Sequence, residues 1–301
     1  MGSIQHCCSI WTQDVAIDVG TATTRVATSS GPVISTPSLA GDHHAVTAGA
    51  VVDGEAAVAV LEPLLRQTRR FGLVRPRVVA CAPGDVSRAE RDLLVDSVLR
   101  AGASSVVIVP EPLAAAIGAG VDVASPFAHT VIDIGEGVTD CAIISSGRIV
   151  TTVTIRGGIA RMRGAVIEKA WSLLGKVITE NEAEEFIRRI GVARRDKLAA
   201  GEEMISAVEP VMKEMLGSIS SFLQDAPHRL GSELIDSGIR LTGGGALIPG
   251  MRQRVEEQTG ITVTFAPHPL EAVVEGVRAI LPVVAATDMW RGSCDVSRGD
   301  R

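Results

Sequence analysis

No run of about 18 consecutive apolar residues occurs in the 301-residue chain, so no membrane-spanning helix is expected. Positive charge is not in excess either. The formal charge is −6, which leaves no global electrostatic case for nucleic-acid binding. The opening residues, MGSIQHCCSIWTQ, lack a basic segment running into an apolar one, so a secretory signal is not expected. Cysteine is scarce. Cys7, Cys8, Cys81, Cys141 and Cys294 form an odd set with no Cys-x-x-Cys pair. Cys81 and Cys141 lie in apolar, strand-like runs and read as reduced small hydrophobes, which points to a reducing, cytoplasmic compartment. Cys7-Cys8 reads as part of a loose leader, with a metal or acylation site as the alternative. Apolar residues make up 46% of the chain and charged ones 21%, so a sizeable core is affordable and global disorder is not expected.

Strands and helices alternate, which indicates an α/β fold. VAIDVG (15–20) and TRVATS (24–29) read as two strands joined by a small-residue turn. RPRVVACAP (75–83) is a strand, followed by a helix with Ser87 and Glu90 at capping-box spacing. Its expected apolar face is Leu93, Leu94, Val98 and Leu99, with Gly102 as the stop. SSVVIVP (104–110) is a buried strand leading into a short helix, EPLAAAIGAG. From residue 130 the plan repeats. HTVIDIG and TDCAIIS flank a glycine turn, RIVTTVTI continues as a third strand, and 158–174 is helical. Thr179 and Glu182 mark a further capping box, 191–201 a basic connection and 202–225 a long amphipathic helix. The strand of DSGIRLTGGG enters three glycines, with Pro249 near the next helix. ITVTFA (261–266) is a strand and 269–280 the last helix. A polar, disordered tail is expected from about 285, and a loose leader over 1–12.

The informative pattern is internal. D-V-G-T-A-T-T from Asp18 and D-I-G-E-G-V-T from Asp133 are one device placed 115 residues apart. Each ends an apolar strand in Asp-x-Gly and starts the next strand near a threonine. Glycine lets backbone N–H groups approach an anion, and the hydroxyls of Thr21, Thr23, Thr24 and Thr139 are candidate donors. Carboxylates beside such an anion need a cation, so Asp18, Asp133 and Glu136 imply a hard divalent ion. A single Asp-x-Gly turn is most often just a hairpin. Two copies, with LTGGGALIPG as a strand running into glycines and a helix, point to phosphates and magnesium between two lobes.

IDVGTATTRV, VPEPLAAAIGAG, VIDIGEGVTD and RLTGGGALIPGM, in this order, resemble the nucleotide motifs of the actin and sugar-kinase superfamily. PRVVACAPGDVSRAERDLLVDSVLRAGA and VVIVPEPLAAAIGAG are similar over long stretches to the bacterial actin homologues MreB and Mbl. The resemblance covers roughly residues 14–280. It implies an actin-like ATPase fold: two duplicated ribonuclease-H-like lobes around a nucleotide cleft, holding ATP and Mg. Lobe I is expected over 14–128, completed by about 268–284. Lobe II is expected over 129–267, with a reduced small subdomain near 159–201. On this resemblance Asp18, Gly20, Thr21, Ala22, Thr23 and Arg25 fall on the first phosphate loop. Asp133, Gly135, Glu136, Gly137 and Thr139 fall on the second, Gly157 and Gly158 with Glu184 near the ribose and adenosine, and Gly243, Gly244 and Gly245 on the adenosine loop. Asp18 and Asp133 would hold the magnesium through water. Glu111 stands where the family carries the glutamate that positions the attacking water, and its ordinary reading is a helix-start carboxylate.

Several residues depart from the family. Glu136 replaces a glycine, and eukaryotic actin carries an Asp there, so a metal-facing acid is tolerable. Arg25 resembles actin's lysine near the phosphates. GGIARMRG (157–164) disturbs an expected Gly-Gly-Asp, and Ile187 stands where a lysine is expected against adenosine. The chain is also shorter than its relatives in both small subdomains. RQTRRFGLVRPR (66–77) sets Phe71, Leu73 and Val74 among arginines. It reads either as a lipid-touching loop like MreB's or as a loop packed on its own domain. The resemblance implies a cytoskeletal protein whose nucleotide state gates self-association at the inner membrane face in support of cell-wall synthesis. Expected partners are itself or a full-length homologue, the wall-synthesis machinery and the bilayer, and not nucleic acid. The alternatives are a non-polymerising interaction protein with weak or no ATPase and, last, a small-molecule kinase or phosphatase.

Overall fold

A computed structural model describes residues 13–192 and 202–287, and it divides into two compact units. The first comprises residues up to Gly118 together with the chain from Glu271 onward; the second is Ala119–Leu270. The expected leader, most of the basic connection and nearly all of the expected tail lie outside the described residues.

The first unit begins with a hairpin, β1 (Asp14–Val19) and β2 (Thr23–Thr28), and continues to β3 (Ile34–Pro37). Two-residue strands β4 (Leu39–Ala40), β5 (His43–His44), β6 (Val46–Thr47) and β7 (Ala50–Val51) make two tiny hairpins. Helix α1 (Gly54–Gln67) follows, started by the Asp53 side chain accepting from Ala56 N–H. Then come β8 (Arg77–Ala82), α2 (Arg88–Arg100), β9 (Ser105–Pro110) and α3 (Glu111–Gly118). The five-stranded sheet runs β3-β2-β1-β8-β9, with the first three strands antiparallel and the last three parallel. Asp14 and Arg77 begin neighbouring parallel strands and are joined by two hydrogen bonds of 2.7 and 2.8 Å. The apolar faces of β1, β8 and α1 form one core, including Val15, Ile17, Val78, Leu61 and Leu65.

The second unit repeats the order. Its strands are β10 (His129–Ile134), β11 (Thr139–Ser145) and β12 (Arg148–Ile155), followed by helices α4 (Ile159–Leu174), α5 (Glu180–Ile190) and α6 (Glu202–Gln224). A short helix α7 (Gly231–Ser237) precedes β13 (Ile239–Thr242), then α8 (Met251–Thr259) and β14 (Val263–Phe265). The sheet runs β12-β11-β10-β13-β14, again three antiparallel strands leading into parallel ones. Met212, Met215, Leu216 and Ile219 of α6 pack with Met162 and Val166 of α4 and Ile132 and Ile143 of the sheet. Arg254, buried on α8, donates 2.6 and 3.0 Å hydrogen bonds to Glu209 of α6.

Both expected capping boxes form, at Ser87 with Glu90 and at Thr179 with Glu182. The expected face of α2 is off by one position. Leu99 is exposed, whereas Ser97 is buried where α2 passes the glycine that opens α1, so a small residue fills the contact. The last helix, α9 (Ala272–Ala286), outruns its expected end and continues through Pro282.

In the first unit, α3 and α9 touch backbone to backbone. A Cβ on Gly118 would lie 1.7 Å from the Ala272 carbonyl oxygen, and one on Gly276 would lie 1.8 Å from that of Ala114. Gly276→Ala should therefore force the helices apart and cost about 2–3 kcal/mol in urea unfolding. Gly217→Ala, in α6 with open space around it, should be neutral or gain up to about 1 kcal/mol.

Candidate functional site

The Asp18 turn sits at the carboxyl end of β1, and Asp18 is paired across the hairpin with Arg25. The guanidinium donates to Asp18 Oδ2 at 3.4 Å. Asp18 is buried, and that burial raises its carboxyl above the ordinary 3.8 against the opposing pull of Arg25. A buried carboxylate short of compensation favours a bound cation, and this chemistry fits a metal held through water. The rest of the turn is tied down by the short hairpins. Ser38 Oγ donates to Gly20 O at 2.6 Å, Ser38 N–H to Ala22 O at 3.0 Å, and Gly49 N–H to Thr21 Oγ1 at 2.9 Å. Thr21 thereby keeps its own hydroxyl proton. Thr24 is buried and shares a 2.9 Å hydrogen bond with Ser38 Oγ, so it is structural rather than an anion donor. Glu111 opens α3 directly after β9, at the same carboxyl edge of the parallel strands as Asp18.

In the second unit three glycine segments meet at the carboxyl ends of β10 and β13. Asp133 stands beside Thr242 in register, immediately before Gly243–Gly245. The Gly243 Cα lies so close to Asp133 that an added Cβ would fall 2.2 Å from its Oδ1, and the φ of +83° also demands glycine. A Cβ on Gly245 would fall 2.2 Å from the Ile134 side chain. Gly158 packs on the second turn in the same way, 2.3 Å from Gly135 O and 2.7 Å from Glu136 O for its missing Cβ. The first amides of α4 reinforce this contact, Ile159 N–H to Gly135 O at 3.2 Å and Ala160 N–H to Glu136 O at 3.0 Å. These amides therefore hold the turn. The edge so formed is backbone-rich and suits an anionic ligand contacted through main-chain groups.

Three expected residues have different company from that foreseen. The Thr139 hydroxyl is fully buried and donates to Gly157 O at 3.2 Å, which removes it as a phosphate donor. The Glu136 carboxylate takes a short hydrogen bond from Arg163 of α4, a partner the sequence does not indicate. Glu184 binds Arg188 at 2.7 Å and approaches Arg163 at 3.6 Å, and the neighbouring Ile187 is buried in the core. Among the described residues no group of three or more His, Cys, Asp or Glu gathers as a metal centre.

Two residues of the site were not singled out from the sequence. Asp140 lies directly opposite Asp133 across the hairpin, is almost fully buried, and receives a very short hydrogen bond from Thr154. The signal was available: strands closed by a Gly135–Val138 turn bring Asp140 into register with Asp133. Burial, then the fields of Asp140 and Asp133, push the Cys141 thiol far up, so it stays protonated. Arg163, 27 residues from Glu136, left no local signal.

Phe71 and Leu73 project from the turn after α1 and are strongly exposed, Phe71 at a positive φ with the Arg70 guanidinium 5.5 Å over its ring. Val74 is half-buried and bridges Arg70. Among the described residues no helix is long and apolar enough to cross a membrane.

Comparison with known proteins follows the same line. Residues 43–200 and 189–288 match the MreB/Mbl protein family. The chain is 29% identical to the cell shape-determining protein MreB of Escherichia coli K12, over 89% of this chain and 92% of the relative. It is 29% identical to Mbl of Bacillus subtilis 168, over 77% and 76%. The first alignment spans 321 residues, more than the whole 301-residue chain, so the relative carries insertions that this chain lacks. Among solved structures, MreB5 of Spiroplasma citri bound to AMPPNP is similar with a TM-score of 0.83 at 22% identity, covering 93% of this chain and 99% of that one. The MamK double helical filament follows at 0.76 and 18%, covering 91% and 98%. The fold is thus actin-like.

The Asp18 environment generates a stability prediction. A carboxyl raised on folding contributes its stabilisation below its unfolded value of 3.8, and loses it as pH rises through the raised value. As pH rises above 3.8, keeping the Asp18 carboxyl buried becomes a cost. Asp18→Asn should melt higher than the parent at pH 7 without ligand, and the gap should close as pH is lowered toward 3.8. Calorimetry over that range checks it.

Proposed function

The chain belongs to the MreB/Mbl family, and on that premise we propose that it is an actin-like cytoskeletal protein that binds Mg-ATP and self-associates according to its nucleotide state. The observation carrying this reading is the glycine-only edge around Asp133, where Gly158, Gly243 and Gly245 bring three backbones to one turn. The Asp18 hairpin supports it as a second copy of the same strand–turn–strand device. Asp18 and Asp133 would hold the magnesium through water, and the ion would offset phosphate charge. Thr21, Ala22, Thr23 and the amides of Gly20, Gly135 and Gly137 would face phosphates. Arg25 would add a positive charge. Gly157, Gly158, Gly243, Gly244 and Gly245 would face the nucleoside. Glu111 would orient water for slow, regulatory hydrolysis.

Relatives named for cell shape, together with a neighbour described as a filament, support self-association in the service of cell shape, and wall synthesis is the process we propose it serves. A second reading keeps the fold but drops polymerisation and much of the ATPase. It is favoured by Ile187, buried where the family's lysine is expected, and by insertions that the relative has and this chain lacks. Titration with a fluorescent ATP analogue, followed by sedimentation with and without Mg-ATP, separates the two. The first reading expects micromolar binding, lost at least tenfold in Asp18→Ala and Asp133→Ala, and pelleting only with nucleotide. Binding without pelleting selects the second. No binding removes both nucleotide roles.

The exposed Phe71 and Leu73, flanked in the sequence by Arg66, Arg69, Arg70 and Arg75, would dip into the anionic inner face of a bilayer. Vesicles containing anionic lipid should co-sediment the parent, and Phe71→Ala/Leu73→Ala should lose most of that binding. Unchanged binding would mean that the loop does not carry the membrane contact.

A further inference from the structure

Glu136 poses a problem for any anionic ligand at the second turn. It stands between Gly135 and Gly137, and a bare carboxylate there would repel a polyphosphate. The structure supplies an answer in Arg163. Its side chain is 13% exposed, and its Nη2 is hydrogen-bonded to Glu136 Oε1. The same guanidinium lies 3.5 Å from Glu180 and 3.6 Å from Glu184, both on α5. Glu180 is largely exposed, and Glu184 is already held by Arg188 at 2.7 Å, so Arg163's shortest contact is the one to Glu136. Burial works against the Arg163 charge but is outweighed by the Glu136 hydrogen bond and by the fields of Glu136, Glu180 and Glu184. The pair is fixed from both sides. Arg163 lies one turn into α4, and the first amides of that helix hold the carbonyls of Gly135 and Glu136.

We infer that Arg163 is a positioning residue of the polyphosphate site, holding the Glu136 carboxylate in place and cancelling its charge so that an acid-bearing glycine turn still accepts phosphate. The inference rests on the nucleotide reading above. Arg163 acts through Glu136 and need not touch the ligand. The pair works as one neutral unit, and what the ligand senses is its summed charge.

That claim orders four proteins by affinity. Glu136→Gln leaves Arg163 only its longer contacts to Glu180 and Glu184 and should bind Mg-ATP severalfold more tightly than the parent. Glu136→Gln/Arg163→Met, with no charge on either partner, should fall within about threefold of the parent. Arg163→Met, with the carboxylate exposed, should bind about tenfold more weakly. Raising salt should compress the whole series, because the differences are electrostatic. Titration of the full chain with a fluorescent ATP analogue reads the affinities, and melting of the ligand-free variants reports folding. A role for Arg163 limited to joining α4 to α5 predicts a different pattern: the double variant as weak as Arg163→Met, and Glu136→Gln no tighter than the parent. Either result overturns the inference. The Glu136→Gln arm keeps it decidable should Arg163→Met fail to fold. If the parent itself binds no nucleotide, the nucleotide reading falls and takes this inference with it. A binding parent whose affinity Arg163→Met matches overturns this inference alone.

Discussion

Close approach of glycine backbone to the Asp133 strand and turn is the constraint on which the second unit depends. Gly158, Gly243 and Gly245 each occupy a position where a single added carbon would fall within 2.3 Å of another atom. Each of these contacts is made by a different segment: the entry to α4, the exit from β13, and the 3-10 turn after it. Removing side chains from all three lets the turn be braced by carbonyl and amide groups while its outer surface stays open to a ligand. The same economy explains the helix α4 cap. No side chain caps it, because the turn carbonyls of Gly135 and Glu136 take its first amides. Fold stability and site geometry are therefore the same set of hydrogen bonds.

The two units share a sheet order and a hairpin, yet they solve the electrostatics of that hairpin differently. Opposite Asp18 stands Arg25, a partial counter-charge inside the protein. Opposite Asp133 stands Asp140, a like charge that directly facing strands disfavour. Thr154 donates to Asp140. A duplicated backbone with opposite charge dressing divides labour. The first pairing sets a guanidinium against its carboxylate, whereas the second sets two carboxyl groups face to face.

Much of this was legible in the sequence because it is local. Asp-x-Gly after an apolar run announces a strand end, and Ser87–Glu90 and Thr179–Glu182 announce helix starts, since each signal needs only neighbours within four residues. Helix α1 was not foreseen. Its start signal, Asp53 before Gly54, is weak, and Pro63 reads as a break although α1 tolerates it. Pro282 is likewise carried within α9. Packing at a distance left no trace: Ser97 is buried because a glycine faces it from α1, and that pairing spans 43 residues. The Arg163 partner of Glu136 was invisible for the same reason, lying on another element.

The segment between β3 and α1 shows how a shortened chain can keep a site in order. Here the sequence indicates a reduced small subdomain, and the chain has two hairpins of two-residue strands. Such strands bury little and cannot be justified by their own hydrogen bonds. Their worth lies in what they hold: Ser38 bonds Gly20 O and the Ala22 carbonyl, and Gly49 bonds Thr21. All three turn residues, 20–22, are thus pinned from a segment that begins only sixteen residues later. Buried Ala45 and Val46 anchor that segment in the first unit's core, so the turn inherits the rigidity of the core through a short lever. A reduced subdomain is therefore compatible with an ordered first turn. What it cannot supply is area above that turn, so coverage of any ligand there must come from elsewhere, and it is coverage, more than the turn itself, on which the polymerising and non-polymerising readings divide.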